Sequence, residues 1–136
     1  MLFGRLTILA IVVAAMSMPV YATNPATMTK GLKVYLEYCK TCHQANGQGT
    51  PGVYPPLANS DYIRNMPKKT LIQEVVNGKH GKVVVNGKTY NGVMAPLPKK
   101  YTCEDIANVL TYVFSSFGNN KGAVTVAEVR KACPKR

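Results

Sequence analysis

The run Cys39-Lys40-Thr41-Cys42-His43 is the feature that most restricts what this chain can become. On a helical turn, residues three apart share a face, so two thiols project together and the next imidazole comes beneath whatever they hold. A bare pair of cysteines at this spacing suits redox, zinc or haem chemistry. The adjacent histidine selects the last, in which both thiols add across the vinyl groups of a haem while the imidazole ligates its iron. Zinc would want a second tight ligand pair, but Cys103 and Cys133 are far apart and His80 stands alone. A thioredoxin-like site would sit in a βαβ pattern, and none surrounds the motif. One covalent haem with its iron is the expected cofactor.

The rest of the composition fits a small exported domain. At 136 residues, with 17% charged side chains and no Trp, the chain can build only a modest core, and a buried macrocycle would supply apolar contact area that it lacks. Residues 1–22 read as a signal peptide: Arg5 is its one cation, Leu6 to Met16 is almost unbroken apolar sequence, and Val20-Tyr21-Ala22 offers small residues for cleavage after Ala22. Retention as an anchor is the alternative, but the apolar run falls short of the roughly 20 residues a membrane span needs. The expected location is the periplasm, with no membrane span after cleavage. In that oxidising compartment Cys103 and Cys133 are expected to form a disulfide fastening the C-terminal tail to the start of the preceding helix, with free thiols or a partner-linked cysteine as the alternatives.

Along the chain, residues 23–29 are expected as a flexible lead-in and residues 30–136 as one domain. A helix from about Thr29 to Lys40 delivers the cysteine motif, with Leu32, Tyr35, Leu36 and Cys39 on one side. Residues 44–60 are too rich in Gly and Pro for regular structure and read as a loop wrapping a cofactor edge. A helix over about Lys69 to Asn77 stops at Gly78. Asn86-Gly87 between β-branched flanks signals a two-residue hairpin. A further helix from about Cys103 to Phe117 carries Ile106, Val109, Leu110, Val113 and Phe114 at helical spacing. Thr125 with Glu128 fits a capping box opening a short last helix.

A second iron ligand must come from beyond the motif, and Met94, His80 and Met66 are the candidates. Met94 lies among Gly92, Pro96 and Pro98, which fix a non-helical path, so its thioether is the expected ligand. His80, beside Lys79 and Gly81, looks like a surface turn residue, and Met66 before Pro67 looks like packing. The bland reading of Met94, a core methionine, stays open at this point.

Gly31-x-x-x-Tyr35 before Cys39-x-x-Cys42-His43, then Pro55-Pro56-Leu57, Asn91-Gly92-Val93-Met94 and a closing aromatic-bearing helix, resemble class I, mitochondrial-type cytochrome c from Gly31 to Phe117. The resemblance implies an all-α fold of helices wrapped around one haem c, with the hairpin as an excursion. It implies that Gly31 and Tyr35 cross the terminal helix near Val109 and Tyr112, and that Pro55 offers its carbonyl to the His43 Nδ1 proton. Leu57 would pack on the haem, and Tyr35 joins the cofactor-binding residues. More narrowly, the loop, hairpin and last helices are similar to cytochromes fused or paired with bacterial copper nitrite reductases and periplasmic dehydrogenases. The strong basicity and the Cys103/Cys133 pair depart from the usual pattern.

A His/Met iron has both axial positions filled, so the expected function is one-electron transfer between respiratory redox partners, not catalysis. The formal charge of +11 favours an acidic protein partner, with a merely solvated basic face as the bland reading, and export removes nucleic acid from reach. Two other classes remain: a cytochrome subunit of a dehydrogenase or reductase complex, and a haem enzyme or gas sensor with an open axial site. No distal His, Arg or carboxylate constellation supports the sensor.

Overall fold

The computed structural model describes residues 23–135. The expected signal peptide, residues 1–22, lies outside the described residues. The first helix, α1 (Pro25–Val34), starts four residues before the expected Thr29. Asn24 accepts a hydrogen bond from the Ala26 N–H at 2.9 Å and Pro25 occupies the first helical position, where its missing N–H costs nothing and its fixed φ already suits a helix. Most of the supposed lead-in is therefore helical. The chain continues through a π-helical turn (Tyr35–Cys39) into α2 (Lys40–His43), which ends where Gln44 takes a φ of 64°.

Residues 44–60 form the expected irregular loop, closed on itself by the Leu57 and Ala58 N–H groups, both of which donate to the Gly47 carbonyl. Gly49 is obligatory there: a Cβ would stand 2.4 Å from the Tyr54 carbonyl oxygen, and φ is +67°. A short helix absent from the sequence reading follows, α3 (Asp61–Asn65), with Ser60 Oγ accepting from the Ile63 N–H. Then come α4 (Lys68–Asn77), stopped by Gly78 at φ +80°, and an antiparallel hairpin of β1 (Lys79–Val85) and β2 (Lys88–Met94). Its tip is Asn86-Gly87 with φ 51° and 75°, the left-handed pair that matches the twist of the flanking strands.

The long helix α5 (Cys103–Ser116) opens on a capping box between Thr102 and Asp105, and α6 (Val126–Ala132) on the expected one between Thr125 and Glu128. The core gathers Tyr35, Ile72, Ile106, Phe114 and Val129, all with 1% or less of their surface exposed. At its centre α1 crosses α5, with Gly31 against the Asn108 carbonyl and Tyr112. The facing residue is thus Asn108, one position before the expected Val109. The architecture is a helical shell with one hairpin.

Candidate functional site

Helices, loop and hairpin together enclose a cavity of about 420 Å³, within the roughly 300–1,000 Å³ typical of ligand pockets. Cys39, Cys42 and His43 line it from the helix end, Pro55 and Leu57 from the loop, and Met94 from the end of β2. Leu71, Leu97 and Phe114 supply apolar wall. Six of the seven expected cofactor residues therefore converge. The seventh, Tyr35, does not line the cavity: it is fully buried behind the motif, its hydroxyl donates to the Gln44 carbonyl at 2.6 Å, and its ring lies 5.5 Å from Tyr112 and 5.2 Å from Phe117. Its place follows from the π turn that holds Tyr35 against α5, and its role there is to fix where α2 ends.

His43 is oriented from behind. Its Nδ1 lies 3.0 Å from the Pro55 carbonyl oxygen, so Nδ1 carries the proton and Nε2 keeps its lone pair. Burial pulls the imidazole below its ordinary pKa, against the opposing effect of the Pro55 bond, and keeps it in the neutral form a metal needs. Burial also pushes the Cys39 thiol up to about 12, so it is no thiolate nucleophile as it stands. A site with two thiols, one oriented neutral imidazole, one thioether and largely apolar walls fits a covalently attached haem and suits no hydrated cation. Among the described residues no three His, Cys, Asp or Glu side chains cluster to hold a metal ion.

Met94 is carried by long-range contacts. As the last residue of β2 it pairs with Lys79 across the hairpin, and a Cβ on Gly78 would stand 2.6 Å from its carbonyl oxygen. Beyond it, the Tyr38 hydroxyl donates to the Pro96 carbonyl at 3.1 Å and the Leu97 N–H to the Val75 carbonyl at 2.9 Å. His80 is exposed on β1 and Met66 packs against the core; neither lines the cavity. Tyr38, Tyr62, Glu74 and Lys79 line it too and were missed. For Tyr38 a signal existed, its spacing of four from Cys42; the others are brought in by tertiary packing alone. Cys103, opening α5, and Cys133, just past α6, are both buried in the core cluster.

The cytochrome c family model matches residues 28–116. Cytochrome c-552 of Thermus thermophilus is 35% identical over 114 residues, covering 78% of this chain and 86% of that protein. Cytochrome c-555 of Methylococcus capsulatus is 28% identical over 125 residues, 90% of this chain and 87% of that one. The cytochrome c subunit of a quinone alcohol dehydrogenase from Gluconacetobacter polyoxogenes is 27% identical over 112 residues, 81% of this chain but 24% of the subunit. A cavity holding two cysteines, an oriented histidine and a methionine thus coincides with a match spanning most of the described residues, and the chain belongs to the cytochrome c family, whose members carry haem c covalently and transfer electrons.

Proposed function

We propose that Cys39 and Cys42 hold the haem through thioether bonds, that His43 Nε2 and the Met94 sulfur ligate its iron, and that the protein is a one-electron carrier and not an enzyme. The observation that carries this reading is the convergence of these four side chains on one apolar cavity, with His43 Nδ1 tied to the Pro55 carbonyl. The bound haem supplies an iron that changes oxidation state by one electron. The protein's part would be to hold the iron through His43 and Met94, exclude water with Leu57, Leu71, Leu97 and Phe114, and keep the imidazole proton on Nδ1. Thioether ligation favours ferrous iron and raises the potential.

The optical spectrum tests it. Reduced protein is expected to give a c-type spectrum, and oxidised protein a weak sulfur-to-iron band in the red that Met94→Ala abolishes. Covalent haem without that band, or prompt binding of cyanide or NO by the unsubstituted protein, would instead favour a catalytic or sensory haem.

Residues 1–22 support export to the periplasm, and among the described residues no helix is long and apolar enough to cross a membrane. An acidic redox partner is supported by the charge of +11. The surface concentrates that imbalance, since Glu74, Glu104 and Glu128 are each paired with a lysine of this chain, while Lys40, Lys82, Lys99 and Lys100 are exposed. Electron-transfer rates with the partner should fall as salt rises. The dehydrogenase subunit among the relatives favours a second reading, docking to a larger dehydrogenase, which a stable complex in size-exclusion chromatography of native extract would support. Burial of Cys103 and Cys133 in one cluster supports the proposed disulfide, to be read as a mass difference after alkylation with and without reduction.

A further inference from the structure

The hairpin that carries Met94 turns one face, with Gly81, Val83, Val85, Tyr90, Gly92 and Met94, to the cavity. Within β1 and β2, all of which is described, only Val85 and Tyr90 are buried. Register is strongly specified only where one face of a strand is buried, and a slip of one residue sends every side chain to the opposite face. The hairpin is also held at both ends by polar contacts, from α3 at the tip and from α3 and α4 at the base. At the tip the Asp61 N–H donates to Asn86 Oδ1 at 3.0 Å and the Asn86 N–H to Asp61 Oδ1 at 2.7 Å. At the base Glu74 Oε1 accepts from the Tyr62 hydroxyl at 2.5 Å and from Lys79 Nζ at 2.6 Å, while the Lys79 ammonium lies 5.3 Å from the Tyr62 ring centroid. Lys79 is the cross-strand partner of Met94.

The side chains of Lys79 and Glu74 are only 27% and 17% exposed. An ion pair taken that far out of water returns little net stability, because desolvation cancels most of the attraction; its best-attested use is to specify one register over another. Tyr62, Glu74 and Lys79 also line the cavity into which Met94 reaches. We propose that Tyr62, Glu74 and Lys79 are positioning residues, a bracket that fixes the base of the hairpin and so holds the Met94 sulfur in place as axial ligand. The inference rests on the reading of Met94 as that ligand.

The experiment uses the haem-loaded protein in its ferric form and measures how fast imidazole enters the iron, a step that requires the Met94 sulfur to leave. Glu74→Gln is expected to speed entry about tenfold, the effect of losing one charge-assisted hydrogen bond, and Tyr62→Phe about threefold. The sulfur-to-iron band should weaken in parallel. Glu104→Gln, which breaks the surface pair with Lys30, is the control and should leave both unchanged. A role in stability alone would move the guanidinium midpoint without moving imidazole entry. If Glu74→Gln does not accumulate, Tyr62→Phe decides. Entry rates in both variants equal to that of Glu104→Gln, with the band intact, would overturn the bracket alone. Absence of the band from the unsubstituted protein would overturn the Met94 reading, and the bracket with it.

Discussion

The two faces of the cavity are built by different means. The His43 side is a continuous helical stretch whose three key residues lie within five positions, pressed on α5 through Gly31, Tyr35 and Tyr112. The Met94 side is the end of a hairpin whose Lys79 donates to Glu74, itself bonded to Tyr62, and it is followed by a stretch in which the Pro96 carbonyl accepts from Tyr38 and the Leu97 N–H donates to Val75. One side is specified locally and packed tightly; the other is assembled from distant segments and held partly by polar contacts. Side chains that share a helical turn need little else to meet, whereas a ligand returned by a loop depends on every contact that sets the loop's path.

The comparison can be broken first at the helix crossing. Gly31→Val should cost about 3 kcal/mol or more in guanidinium unfolding, because its Cβ would stand 2.2 Å from the Asn108 carbonyl oxygen and α5 backbone cannot give way. A loss below about 1 kcal/mol would show that the crossing is looser than drawn. On the hairpin side, Val85→Ala should cost about 2 kcal/mol, since Val85 is 3% exposed. Its distinctive effect should be on the red sulfur-to-iron band, which Gly31→Val would alter only by unfolding the whole domain.

Contacts remote from both faces should matter less, and differently. Thr125→Ala removes the α6 cap and should cost about 1 kcal/mol. Burial raises the Glu128 pKa, but the Thr125 bonds and Lys68 outweigh it and hold the carboxyl below its ordinary value. A depressed carboxyl contributes stability above its unfolded pKa, and that contribution is lost as pH falls through the folded one. Urea midpoints below about pH 4.3 should therefore fall less steeply in Thr125→Ala than in the parent. Smallest of all, Lys30→Ala should leave the midpoint and the visible spectrum unchanged, because both partners of that pair are more than half exposed and such pairs contribute next to nothing.

Legibility followed the same division. The Cys39-Cys42-His43 triplet, the Asn86-Gly87 tip and the Thr125–Glu128 box were readable because each is a short pattern with a local physical cause. Pro25 and Asn24 carried a start signal that the composition of residues 23–29 obscured, and α3 was missed because five residues show no periodicity, although Ser60 was a usable cap. The Met94 choice was narrowed by its stiff surroundings, while Tyr62, Glu74 and Lys79 meet only through tertiary packing, for which spacing offers no rule. Tyr35 meets Tyr112 as the resemblance implied, but a π turn, for which the sequence carries no local signal, interrupts the regular α phase just there.

That phase has a wider consequence. The π turn at Tyr35–Cys39 takes up one residue more than an ordinary turn between the part of the helix that meets α5 and the part that meets the cavity. Were the same residues to run as regular α, everything after the turn would rotate by about 100° relative to Gly31. The anchor on α5 would remain while both thiols and the imidazole swung off the cavity, whereas deleting Glu37 would remove only the extra residue, so a chain one residue shorter would keep both its phase and its chromophore.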